Sequence, residues 1–213
     1  MNKFLVIAIC YLLLSSRSLR AQSQFIEGYV LYKVSIIRPS DSAVYEGTYK
    51  IIAKGRQLRK ELKIGNNYDD VMIYNYNNNT VYSLHTASDK RFAVQLDLAE
   101  LNKKLEKYSN YKIQLGEKTG KIAGYDASKA KVQYEHDTVE VSFANDVLLD
   151  NNKFFDRFPG FKNLLLSFDY LSGDGTRMHF EADEIHETPV ENANFRVPQD
   201  LKIISYKEYK MLK

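Results

Sequence analysis

The chain has 213 residues, 44% hydrophobic and 27% charged, with ten Gly, four Pro and no Trp. That composition excludes collagen-like, low-complexity and wholly disordered classes and predicts a folded core. Residues 1–21 hold three of the 30 basic residues and none of the 27 acidic ones, so the remaining 192 carry 27 of each sign. A neutral body gives no electrostatic warrant for nucleic acid or an anionic membrane as partner.

The N-terminus reads as an export signal. Lys3 supplies a positive start, residues 4–14 are an unbroken apolar run of eleven, and small and polar residues follow. The run is shorter than the about 20 residues a spanning helix needs. Leu19 and Ala21 suit a cut before Gln22; Ser16 and Ser18 suit a cut before Leu19. The only cysteine, Cys10, lies inside this run with too few apolar residues ahead of it to be a lipid-attachment site. The expectation is an extracytoplasmic, periplasmic-type protein that is soluble and is not a lipoprotein. Without cysteine, the body has no disulfide framework, thiol nucleophile or Cys-ligated metal. At about 190 residues, a core can bury roughly 70% of the unfolded surface and hold the chain unaided.

From residue 25 to residue 144 the hydrophobic pattern has period two and is broken by turn residues, which predicts antiparallel strands. In 56–64, Leu58, Leu62 and Ile64 share a side with the Lys60 stem, and Gln57, Arg59, Glu61 and Lys63 take the other. Residues 129–135 put Ala130, Val132 and Tyr134 inside. Residues 138–143 do the same with Val139, Val141 and Phe143, so these two segments should pair across His136-Asp137. Turn spacing implies about eleven strands. Two segments are helical instead. Residues 97–108 space Leu98, Leu101, Leu105 and Tyr108 by three and four behind an Asp97/Glu100 capping box, and residues 205–212 start with Ser205 and Glu208. Residues 152–161, with four Phe and the Pro159-Gly160 stop, read as a loop. No linker or repeat interrupts the chain, which predicts one domain over 22–213.

His85, His136, His179 and His186 do not form the helical pair of zinc proteases. His179, Glu181 and Asp183 share a strand face that reads as solvated surface, and no metal or cofactor is expected. Gly116, Gly120 and Lys121 fail as a phosphate loop because Ile122 replaces the hydroxyl. There is no G-x-S-x-G elbow. Asp69-Asp70, Glu184 and Glu187 sit among polar neighbours that would not displace a carboxyl pKa, so no catalytic residue and no enzyme activity are expected. Asn78-x-Thr80 matches a glycosylation acceptor and reads as a turn.

Aromatic load is the unusual feature, with 16 Tyr and 11 Phe. In 68–76 one side carries Tyr68, Met72, Tyr74 and Tyr76 while the other carries Val71 and Ile73; residues 25–37 and 164–171 are also apolar on both faces. Such strands need cover on two sides, from the chain itself or from a bound apolar molecule.

The order of parts resembles a known group. Gly28-Tyr29-Val30-Leu31-Tyr32, Lys54-Gly55-x-x-x-Arg59, the central helix, Lys121-Ile122-Ala123-Gly124-Tyr125, Phe158-Pro159-Gly160-Phe161 and Phe195-x-Val197-Pro198 together resemble uncharacterised secreted proteins of Gram-negative envelopes. These are compared with the lipoprotein-carrier (LolA/LolB-like) half-barrel; the Pro-Gly turn is also similar to the GLPGLI family. Relatives often carry a cysteine after the Gly-Tyr pair, where this chain has Ala127 and Ser128, so a role for that thiol does not transfer. The resemblance implies a mostly β (α+β) fold: an unclosed curved antiparallel half-barrel whose concave face is covered by helices and accepts acyl chains.

Two function classes follow. In the first, Val30, Tyr32, Leu58, Leu62, Phe143, Phe168 and Phe180 of the sheet meet Leu101 and Leu105 of the helix around an apolar ligand or lipoprotein acyl chain. In the second, an envelope scaffold with a solid core docks a protein partner through Phe155 and Phe161 of the aromatic loop. Ligand identity and oligomeric state are not legible in the sequence.

Overall fold

The computed structural model describes residues 23–40, 43–65, 68–85, 91–134 and 137–212. The export segment with Cys10, Ser18 and Ala21, and also His136, lie outside the described residues.

The described residues form thirteen strands of one open, curved sheet, most of the longer ones built on alternating apolar residues. A first run of hairpins comprises β2 (Glu27–Ile37), β3 (Val44–Lys54), β4 (Gln57–Ile64), β5 (Tyr68–Asn75), β6 (Thr80–His85) and β7 (Phe92–Asp97). A second comprises β8 (Lys112–Ile122), β9 (Tyr125–Gln133), β10 (Thr138–Leu149), β11 (Asn163–Leu171) and β12 (Arg177–Glu187). The runs join where β2 pairs with β12 antiparallel. The approach there is close: Gly28 has φ +149°, and a Cβ on it would lie 2.0 Å from the His186 carbonyl oxygen. Only glycine fits that junction.

Two short strands complete the sheet and both pair in parallel. β1 (Ser23–Phe25) lies beside the end of β10, and β13 (Lys202–Ser205) beside β7. Segments of three or four residues are too short to show an alternating pattern. The β9–β10 pairing is the expected one, but its register sets Gln133 opposite Thr138. The link is therefore longer than His136-Asp137, and the Tyr134 N–H closes it on the Asp137 carbonyl at 2.8 Å. A two-residue turn favours glycine, which this link lacks.

The helices follow their caps. Asp97 accepts from the Ala99 and Glu100 N–H groups at the start of α1 (Leu98–Leu105), which tightens into a 3-10 turn over Glu106–Tyr108. Ser205 and Glu208 form the reciprocal capping box of α2 (Tyr206–Met211).

Both faces of the central strands are covered. On the inner face lie α1 and the loop over 150–162, which turns Phe154, Phe155, Phe158 and Phe161 into the main core. On the outer face the segment after β12 seats Val190, Phe195 and Leu201 against Ile52, Val71, Ile73 and Leu84. Lys54 Nζ donates to the Val190 carbonyl at 2.7 Å, and the Val190 N–H donates to Glu27 at 2.6 Å, which ties that segment down.

Candidate functional site

The alternation in β4 points Leu58, Lys60 and Leu62 inward, and register places Lys60 between Ile51 and Met72, with Leu62 between Tyr49 and Asp70. Lys60 therefore carries its ammonium into the inner face. Its side chain is 4% exposed, and Nζ lies 2.7 Å from Asp156 Oδ1 of the aromatic loop and 4.8 Å from the Tyr74 ring centroid. A buried ammonium demands such a partner, because taking an unpaired charge out of water costs several kcal/mol, on the order of what a domain has to spare.

Beside this pair lies a hollow of about 180 Å³. Leu62, Met72, Met178 and Phe180 supply apolar wall; Tyr49, Tyr74 and Tyr170 supply rings with polar tips; Lys60, Asp70 and Asp156 supply charge. Burial pushes the phenols of Tyr49, Tyr74 and Tyr170 well above the ordinary range, with the Asp156 charge adding to it. Burial also raises the Asp70 carboxyl, against the pull of nearby His85, with Asp69 adding to the rise. Among the described residues, no histidine, serine, threonine or cysteine lines the hollow.

Tyr74 and Asp156 also wall a narrow space of about 30 Å³ beneath α1, bounded by Leu101, Leu105, Phe155 and Pro159. Leu101 in turn borders a third space of about 220 Å³ between α1 and Tyr206 of α2. Neighbouring hollows thus share walls in series, and the middle one is a neck with room for about one water. Two more open clefts, of about 450 and 500 Å³, meet at Tyr134 on the far side. In the first of these, charges are already engaged: Arg177 pairs with Asp169, and Arg157 donates to the Leu171 carbonyl at 2.8 Å.

The expected ligand residues divide. Leu62 and Phe180 line the first hollow, and Leu101 and Leu105 line the neck. Val30, Tyr32, Leu58, Phe143 and Phe168 belong instead to the main core, where aromatic-loop rings pack on Phe168 and Phe143. The loop corrects the docking expectation as well. Phe155 and Phe161 are 2% and 5% exposed, so neither presents a surface, because apolar rings on a loop beside an uncovered sheet face gain more by covering it. Lys60, Asp156, Tyr49 and Tyr170 are site residues beyond those expected from the sequence. The available signal was a lysine on the apolar side of a cleanly alternating strand.

The three described histidines are in pairs or stacks: His179 with Asp169 at 2.7 Å, His186 with Glu184 at 3.3 Å, His85 against Phe92 and Tyr209. Among the described residues, no three or more His, Cys, Asp or Glu are placed to hold a metal ion, and no helix is long and apolar enough to cross a membrane.

Comparison with curated proteins returns no match. Among solved structures the chain is similar to PNGF-II (13% identity, 87% of this chain and 33% of that one, TM-score 0.42). It is also similar to a LolA superfamily protein from Nitrosomonas europaea (10% identity, 81% and 91%, TM-score 0.36). A third is a DUF1329 family protein from Desulfovibrio piger (9% identity, 90% and 95%, TM-score 0.29). The chain spans about a third of the length of the first of these. A family model described as a domain of unknown function, DUF4412, matches residues 37–157, a span that contains Tyr49, Lys60, Asp70, Tyr74 and Asp156. That span is more than half of the sequence, and the protein belongs to the DUF4412 family.

Proposed function

We propose that the protein is an exported, non-catalytic binding protein of the cell envelope that holds an apolar ligand, such as an acyl chain, along the inner face of its sheet. The observation that carries this reading is a series of three hollows, the first and second sharing Tyr74 and Asp156 as walls and the second and third sharing Leu101 of α1. The end hollows, about 180 and 220 Å³, exceed the roughly 150 Å³ cavity that stays dry and takes benzene. A chain in both must pass the neck, and α1 can yield there because Leu98 is its only buried residue. Affinity would come from apolar area removed from water, about 25 cal/mol per Å² before ordering costs.

Delipidated protein lacking residues 1–21 is expected to bind a fluorescent long-chain acyl probe, and native mass spectrometry of the undelipidated protein to show a lipid adduct. Leu101→Trp, which fills the neck from a half-buried position, should weaken the probe at least about tenfold while leaving the unfolding midpoint nearly unchanged. Absence of probe binding by the unmodified protein would sink the reading.

A further inference from the structure

The first hollow holds more polarity than an acyl chain can use. Lys60 and Asp156 neutralise one another at 2.7 Å. Asp70, on the same hollow, has no hydrogen bond or ion pair with any described residue. Tyr49 and Tyr74 are only 9% and 4% exposed. Their hydroxyls and that of Tyr170 have no protein hydrogen-bond partner among the described residues and are accessible from the hollow. Tyr32, by contrast, donates to the Leu165 carbonyl at 2.9 Å and Tyr111 to the Pro159 carbonyl at 3.0 Å.

A partly desolvated carboxylate whose nearby counter-charge is the His85 ring, together with three hydroxyls lacking a protein partner, leaves a polar hollow that a ligand can complete. Counted with all three groups ionised, the hollow carries one negative charge in excess, from Asp70. Aromatic walls add attraction for a cation. We propose that this hollow receives the ammonium group of an amine-bearing amphiphile. Asp70 is its counter-ion, the Tyr49 and Tyr170 hydroxyls accept from its N–H groups, and its chain runs past Tyr74 and Leu101 beneath α1. The burial that raises the Asp70 carboxyl is the burden such a cation would relieve. A carboxylate head would face both Asp70 and Asp156 and is rejected. An alcohol keeps the hydroxyl contacts but leaves Asp70 uncompensated.

This inference rests on the binding role proposed above and adds the head group. The test is displacement of the fluorescent acyl probe from the delipidated protein by an alkylamine, an alcohol and a carboxylic acid of one chain length, each below its micelle concentration at neutral pH. The amine is expected to displace the probe at about tenfold lower concentration than the alcohol, and the acid least well. Asp70→Asn should reduce the amine–alcohol gap to less than about twofold. An acid as effective as the amine, or an amine preference that survives Asp70→Asn, overturns the head-group assignment and leaves the binding role standing. Failure of the probe itself to bind removes the binding role and this assignment with it.

Discussion

The inner face of the sheet has two halves that solve the same problem differently. Over β10 and β11 the aromatic loop lays down rings that interlock with the sheet: Phe158 with Phe168 at 5.8 Å, Phe155 with Phe168 at 5.4 Å, Phe161 with Phe143 at 5.8 Å. Over β4 and β5 the same loop reaches Lys60 with Asp156, and space is left beside Met72, Met178 and Phe180. Filling a face with close-packed rings maximises stability. Leaving it partly unfilled, with polar groups unpaired, gives up stability and keeps room for a ligand. The two halves share one loop, so the side chain at each loop position decides which half is solid.

Four measurements would break or sharpen that contrast. Phe158→Ala in the filled half should lower stability by about 3–5 kcal/mol in urea unfolding, whereas Met178→Ala on the hollow wall should cost under about 2 kcal/mol, because space already exists beside it. Equal losses would erase the distinction. Next comes the ion pair: Asp156→Ala strands the buried Lys60 ammonium and should cost about 1–3 kcal/mol, while Lys60→Met keeps the stem's packing, leaves the more exposed Asp156 to water and should cost under about 1 kcal/mol.

The buried phenols predict alkaline sensitivity. Tyr32, Tyr49, Tyr74 and Tyr170 have folded values well above the unfolded value, with burial as the leading cause. The stability this represents is complete below about pH 10 and is lost as pH rises above it, because the unfolded chain then releases protons the folded chain retains. Ultraviolet titration should show tyrosines that ionise only together with unfolding. Phenols that titrate freely in the folded state would contradict the burial of both halves.

The smallest effect is at Asp70. Its carboxyl is raised in the folded state, so the ionised form is a burden above that raised value which disappears as pH falls below its ordinary value of 3.8. Asp70→Asn should therefore raise the melting temperature slightly at neutral pH, with the gain vanishing in acid. A loss at neutral pH would mean that the carboxylate has a partner in the folded protein.

Much of the architecture was legible from local pattern. Leu58, Leu62 and Ile64 announced the inward side of β4, and Val139, Val141 and Phe143 that of β10, because side chains alternate across a strand regardless of what lies beyond it. Asp97, Ser205 and Glu208 announced the helix starts, since a cap acts within one turn. The candidate site was less legible. Lys60 read as an apolar stem with a wet head, yet its head is buried because Asp156, 96 residues away, meets it. Val30 and Leu101 both read as ligand wall, and only Leu101 borders a hollow.

The amino-acid order alone set a mostly β chain with two short helices, strands needing cover on both faces, and an aromatic loop that cannot be helical. These follow from periodicity, caps and Pro159-Gly160, all of which act over a few residues. Only the tertiary structure decided that the loop turns its rings inward, that the segment after β12 closes the outer face, and that a hollow remains beside Lys60. Alternation says which side a residue faces; what stands opposite depends on segments a hundred residues distant, whose arrival no local pattern encodes.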